Sequence, residues 1–332
     1  MTAVPVHPTP EGLYCPAGDF HIDPVRPVPR ALITHGHADH ARAGHGSVLA
    51  TRQTLDIMGI RYGADFAGST QAAEGAIGIG DATVSFHPAG HVLGSAQICV
   101  EGAGPKIVIS GDYTRGPNPA CAPFEPVRCD TFVTEATFGL PVFRHPDPAG
   151  QIARLLSSRA QFPDRAHIVG VYALGKAQRV IMLLREAGYD RPIYIHGALD
   201  RLCRYHAEQG IAVGDLRPAT VDASESGFAG EIILAPPSAM AAKWAQRFAD
   251  PLLGFASGWM QIRARARQRL TELPLVISDH ADWPQLQETI RETGAGEVWV
   301  THGAEEALVH WCQTQGLAAR PLHLVGYEEE PE

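Results

Sequence analysis

Four side chains that commonly bind metals crowd into one short stretch near the start of the chain. They are His35, His37, Asp39 and His40, in the segment ALITHGHADH (31–40). The segment opens with an apolar run, Ala31-Leu32-Ile33, closed by Thr34. Side chains alternate along a strand, so His35 and His37 point the same way if extended geometry continues past the run. Asp39 and His40 would follow in a turn, where backbone freedom lets both face the same pocket. Imidazole and carboxylate together suit a divalent first-row metal, zinc above all. Four such groups exceed what one catalytic zinc with an open position needs, so the spacing implies two adjacent metals. A histidine-rich surface turn is the bland alternative.

Other apolar runs end in residues of the same kind. ATVSFHPAGH (82–91) alternates as a strand would and carries His91 at its tip, while His87 reads as a strand or surface histidine. KIVIS (106–110) delivers Gly111 and Asp112. A carboxylate at a strand end can bridge two metals with its two oxygens; standing alone it would simply open a turn. TFVTEATF (131–138) carries Glu135 out of a β-branched run, and LPLVISDHADW (273–283) and EVWVTHG (297–303) end in His280 and His302. Asp23, after Phe20-His21-Ile22, could orient a metal-bound imidazole or cap a turn.

The elements that must position these groups fall into two textures. Up to Phe138 the chain reads as short strands and turns, with a helix near 52–62 and a loosely structured stretch to Gly80. From about Leu140 it alternates helix and strand: AGQIARLLSSRAQ, HIVGVYAL, GKAQRVIMLLREAG, PIYIHG, a helix around 198–209, EIILAPPS and the helical AMAAKWAQRF. That alternation implies a mostly parallel sheet and a domain of its own. The expected division is a first domain over 1–139, an insertion over 140–272 and a return to the first domain over 273–332. There is no solenoid-period repeat, and the EEEPE terminus reads as a frayed tail.

With 332 residues, 45% hydrophobic and 19% charged, the composition is that of a globular α/β protein. The N-terminal MTAVPVHPTP has neither a basic segment nor an apolar core, so no signal peptide is expected, and no run is long enough to span a bilayer. The six cysteines lack CxxC spacing and read as reduced thiols, which points to the cytoplasm. A net charge of −9 argues against a protein coated in nucleic acid but not against a local basic groove.

HGHADH, AGHVLGSA and SGDYT resemble motifs two to four of the metallo-β-lactamase fold. Glu135, His280 in SDHADW and His302 in VTHG resemble the three further motifs of its β-CASP branch, which acts on nucleic acids. The resemblance covers essentially the whole chain. It implies an αββα sandwich with an inserted β-CASP α/β domain, placed between Glu135 and His280. ASGWM (256–260) and SDHADW (278–283) look like the bacterial ligase-associated DNA exonucleases, repair proteins linked with an ATP-dependent DNA ligase and a helicase.

The same resemblance implies a ligand set: His35, His37 and His91 for one metal, Asp39, His40 and His302 for the other, and Asp112 bridging. Two divalent ions are expected, zinc first and manganese as the alternative. His280 then suits a general acid or a phosphate-contacting imidazolium, with Glu135 fixing its tautomer. A histidine in the place of His302 is typical of RNA-processing β-CASP enzymes, such as the pre-mRNA 3′-end endonuclease and bacterial ribonuclease J. The DNA-crosslink-repair relatives usually lack it. The resemblance to ligase-associated enzymes makes DNA the leading substrate, while His302 pulls toward RNA, the alternative.

For nucleic-acid contact the candidates are Arg263 and Arg265, in a run with Arg267 and Arg269, and Lys176 at a helix start. If the arginine run is extended, all four fall on one face; if it is helical, they spread around the surface. A small-molecule hydrolase would need motifs two to four but not the insertion, Glu135 or His280. A non-catalytic subunit would not need intact ligand positions.

Overall fold

The computed structural model describes residues 5–102, 104–220 and 228–324; the acidic terminus lies outside them. The chain divides into two compact units, Met1–Arg144 with His280–Glu332, and His145–Asp279. The changeovers thus fall at 144/145 and 279/280, against the expected 139/140 and 272/273. The later return has a structural cause: Leu273–Leu275 pairs in parallel with Leu252–Ala256 and so completes the sheet of the second unit.

The first unit is built from period-2 alternation in its strands. A six-stranded sheet runs in chain order from His7–Thr9 to Thr70–Ala72. A seven-stranded sheet has the order Ala318–Pro321, Glu297–Gly303, Thr131–Ala136, Ile107–Ile109, Ala96–Glu101, Ala82–Pro88, Ile77–Ile79. Leu32 and Leu49 of the first sheet share one core with Ile98, Val100, Ile107, Ile109, Val133 and Trp299 of the second. The alternate residues face outward to helices. Ala31, Val48 and Ala50 pack with Leu55 and Met58 of the helix Arg52–Tyr62. Cys99, Val108, Phe132, Val298 and Val300 pack with the helices Trp283–Thr293 and Glu305–Thr314. Two sheets face to face with helices outside make the αββα layering of the metallo-β-lactamase fold. Both faces of the central strands Ile107–Ile109 and Thr131–Ala136 are buried, which is why those runs read as apolar.

The second unit holds a wholly parallel six-stranded sheet, in the order Leu216–Pro218, Ile193–Ile195, Ile232–Ala235, His167–Gly170, Leu252–Ala256, Leu273–Leu275. Val169, Ile193, Ile195, Ile232 and Leu234 meet the helices Pro148–Gln161, Lys176–Glu186 and Gly197–Glu208. Ile168, Tyr194, Ile233 and Ala235 turn to the other face, against Ala239 and Phe248. The helix expected over 239–248 is absent. That stretch forms only the short helix Pro237–Met240 and one 3-10 turn, Ala245–Arg247. Phe248 is then freed from helical register and packs with Phe228 and Trp244. Among the described residues no helix is long and apolar enough to cross a membrane.

Candidate metal centre and acid pair

Every cluster residue leaves a strand end of the first unit. Arg30–Leu32 stops early, and His35 and His37 stand in the turn that follows, where the N–H groups of His40 and Ala41 donate to the His37 carbonyl. Turn geometry, not continued extension, therefore places these histidines. Ile107–Ile109 delivers Asp112 through Gly111, at φ +55. A Cβ on Gly111 would lie 2.7 Å from that of Thr34, so only glycine lets the Asp112 turn lie against the histidine turn.

His35, His37, His91 and Asp112 each offer a ligand atom, all within 4.8 Å of one another. His37 Nδ1 lies 3.2 Å from His35 Nε2 and 3.0 Å from His91 Nε2, and Asp112 Oδ2 lies 3.4 Å from His35 Nε2. Around the same carboxylate, His40 Nε2 is 3.5 Å from Asp112 Oδ2 and 3.6 Å from Asp39 Oδ2. The His302 ring stacks on His40 at 5.0 Å. Asp112 Oδ1 is buried with no hydrogen-bond partner among the described residues. A buried carboxylate oxygen left so, amid converging imidazoles, fits a cation; the donor set suits zinc or manganese.

His302 reaches this place through an irregularity. The strands Thr131–Ala136 and Glu297–Gly303 run parallel in register until Glu135 pairs with Thr301 and Ala136 with Gly303. His302 is the extra residue, in the left-handed region at φ 55. Such a bulge re-aims a side chain at the expense of local strain. Gly303 beside it has φ +92, and a Cβ there would come 2.3 Å from the Ala136 carbonyl oxygen.

Asp23 holds the imidazoles from beneath. Its Oδ1 accepts from the Thr34 N–H at 2.8 Å, and its Oδ2 accepts from the Thr34 hydroxyl at 2.6 Å and lies 2.8 Å from His40 Nδ1. The Thr34 oxygen is in turn 3.0 Å from His35 Nδ1. One carboxylate, directly and through one hydroxyl, can thus hold both Nδ1 protons, which leaves the two Nε2 atoms to face the cluster. Asp23 itself has φ 45.

The charge balance follows. Burial pushes the His40 pKa down, but Asp112, Asp39 and Asp23 around it outweigh burial and hold it well above the ordinary value. Burial and the charge on His40 drive His35 well below its usual range. Burial would raise Asp112, but His40 and His35 outweigh it and hold that carboxyl well down. His302 is pushed to about 4, by burial first and then by His40. The pocket is arranged to hold positive charge against three carboxylates.

Beside the cluster stands a second group. His280 Nδ1 is 2.9 Å from Glu135 Oε2 and 3.1 Å from Oε1, and its ring centroid is 4.7 Å from that of His91. Glu135 and His280 also gather with Asp112, their ligand atoms within 4.8 Å. The backbone of Tyr113 ties these parts together. Its N–H donates to Glu135 Oε1 at 2.7 Å, and its carbonyl accepts from the Ala281 N–H at 2.6 Å.

The expected nucleic-acid contacts fare differently. Arg263–Gln268 is a short helix, so the arginines spread around it in place of lining one face. The Arg265 guanidinium lies over the Trp259 ring at 3.7 Å, and that of Arg269 over Phe255 at 4.5 Å. Lys176 is a correction: it is 4% exposed, and its ammonium is taken by Asp279 and the carbonyl of Ile277. The helix N-terminus it opens is closed by Gln178, whose Oε1 accepts from the Gly175 N–H at 2.8 Å.

Sequence reading passed over Thr34 and Tyr113. Thr34 stood next to the first histidine and could have been found as a strand-end hydroxyl. Tyr113 acts through its backbone, for which no side-chain signal exists.

No family model matches the chain. It is 26% identical over 325 residues, 93% of its length, to a protein named a probable DNA ligase from Opitutus terrae, of which it covers 30%. It is 33% identical over 132 residues to an endoribonuclease from Emericella nidulans, covering 36% of this chain and 15% of that one. It is 34% identical over 130 residues to subunit 3 of a cleavage and polyadenylation specificity factor from Dictyostelium discoideum, covering 36% and 16%. The chain thus spans less than a third of each of these relatives. A solved protein of unknown function from Enterococcus faecalis V583 shares the fold, at a TM-score of 0.57 and 12% identity over 83% of this chain and 76% of that one.

Proposed function

Because the chain belongs to the β-CASP branch of the metallo-β-lactamase superfamily, we propose that it is a two-metal phosphodiesterase acting on nucleic acid, DNA first. The observation that carries this reading is the His280–Glu135 pair, with the His280 ring 4.7 Å from that of His91, a proposed metal ligand. Simple metal-assisted hydrolysis of a small ester would not need a second, carboxylate-held imidazole at that spot.

His35, His37 and His91 would hold one cation and Asp39, His40 and His302 the other, with Asp112 shared. Bound there, two divalent ions supply an activated water near neutral pH and Lewis acidity toward the phosphate oxygens. The rest falls to the protein. Asp23 and Thr34 fix the tautomers of His40 and His35. Glu135 holds His280 through Nδ1, so Nε2 is the nitrogen that would pass a proton to the departing sugar oxygen as the P–O bond breaks.

DNA is favoured by the likeness of 93% of this chain to 30% of a protein named a probable DNA ligase, and by the ASGWM and SDHADW segments. Removal of nucleotides from an end, in company with a ligase and a helicase, is the physiological form of this reading. RNA is the second reading, favoured by His302 and by the endoribonuclease names among the relatives. Matched DNA and RNA oligonucleotides, linear and circular, under one metal condition decide between them. Release of nucleotides from linear DNA is expected; faster cleavage of RNA, or rapid nicking of circular DNA, overturns the substrate or the exonuclease mode respectively.

A further inference from the structure

Lys176 and Arg179 lie one turn apart on the helix Lys176–Glu186, yet they are only 4% and 3% exposed. Long cations are almost never buried unless paired. Both close on one short run of the second unit. The Lys176 ammonium lies 3.1 Å from Asp279 Oδ2 and donates to the Ile277 carbonyl at 2.9 Å. The Arg179 guanidinium donates to the Ser278 carbonyl and lies 3.4 Å from Asp279 Oδ1. Three consecutive residues, 277 to 279, each present an acceptor to a cation from the same helix. The next residue in the chain is His280.

The run lies beyond the strand Leu273–Leu275, so sheet pairing does not set its course. A proton donor must be held to a fraction of an ångström to work. Glu135 fixes the ring of His280 but not the backbone that carries it. On the far side, the Ala281 N–H is anchored to the Tyr113 carbonyl. On the near side, the pair of buried cations on Asp279 anchors the run.

We propose that Lys176, Arg179 and Asp279 are positioning residues for His280, a buried charge clamp that sets the backbone from which its imidazole is presented to Glu135. The inference rests on the acid role given to His280 above. A buried ion pair is weak evidence of stability in itself, and breaking one strands a charge. The test must therefore separate positioning from folding.

The metal-loaded full chain is assayed on an oligonucleotide, whose leaving alkoxide needs a proton, and on bis(4-nitrophenyl) phosphate, whose leaving group does not. Lys176→Met should lower kcat on the oligonucleotide by on the order of ten- to a hundredfold, the scale of a misplaced catalytic group. KM, metal content and turnover of the activated ester should stay close to those of the unaltered protein. Lys176→Arg should restore most of the loss. An equal loss on both substrates, or loss of metal, overturns the clamp. Should Lys176→Met fail to fold by circular dichroism, Asp279→Asn, which keeps the shape and removes the charge, is read the same way.

One readout is independent of activity. The imidazole proton of His280, identified by its absence in His280→Ala, is followed by NMR. Its resonance should shift or broaden in Lys176→Met, and an unchanged resonance overturns the clamp. Equal losses on both substrates in His280→Ala would instead overturn the acid reading, and the resonance would still decide the clamp.

Discussion

His280 Nδ1 lies 2.9 Å from Glu135 Oε2, although 145 residues separate the two in sequence. Glu135 is 1% exposed and leaves the strand Thr131–Ala136, while His280 is the first residue of the chain's return to that unit. The pair is thus made by the return itself. In the proposed mechanism the carboxylate orients the ring and the imidazole carries the proton.

His280→Ala should keep the bound metals and the fold yet lose roughly two to four orders of magnitude in turnover, the usual contribution of a positioned acid. Glu135→Gln, which keeps the shape, should lose less. Elemental analysis beside steady-state kinetics tests this. Loss of metal in His280→Ala with high residual turnover would make His280 a ligand.

Asp112 and Asp23 should separate by what each touches. Asp112→Ala removes the shared carboxylate, and occupancy should fall well below the roughly two equivalents of a dinuclear site. Asp23→Asn leaves every proposed ligand in place but weakens the hold on His40 Nδ1, so affinity should fall about ten- to a hundredfold. Titration with a competing chelator measures both. Unchanged affinity in Asp23→Asn would remove it from the site.

Arg265→Ala should cost stability, not nucleic-acid affinity. The guanidinium rests on the Trp259 ring, a contact worth about 0.5–1 kcal/mol at an exposed position. The salt dependence of binding should stay the same, since the helix spreads its arginines. A clearly flattened salt slope in Arg263→Ala/Arg265→Ala would return these residues to the nucleic-acid interface.

His206 predicts a pH effect on stability. Its ring is fully buried, Nδ1 lies 2.7 Å from the Leu202 carbonyl oxygen, and burial lowers its pKa. The unfolded chain takes up that proton near pH 6.5, so its contribution is complete above that value. It is lost as pH falls from there through the lower folded value. Denaturant midpoints between pH 7.5 and 5.0 should therefore decline less steeply in His206→Gln than in the unaltered protein. Parallel declines would exclude His206 as a source.

What the chain states on its own is local. An apolar β-branched run ending in a histidine or carboxylate can be read without a structure, because burial on both faces and the chemistry of the strand end depend on neighbours in sequence. That is why His35, His37, His91, Asp112 and His302 were legible as strand-end groups, whereas the αββα layering came only through the resemblance to the metallo-β-lactamase fold. Tertiary structure decided the rest, wherever a residue's role depends on a distant partner or on backbone geometry. His302 faces His40 because one bulge against Glu135 and Ala136 turns it there. The arginine run of 263–269 carries no apolar period, so nothing local chose helix over strand. Lys176 was read as part of a helix start whose free N–H groups could meet a phosphate; its burial was decided by Asp279, a hundred residues on, because a cation enters the interior only where an anion meets it.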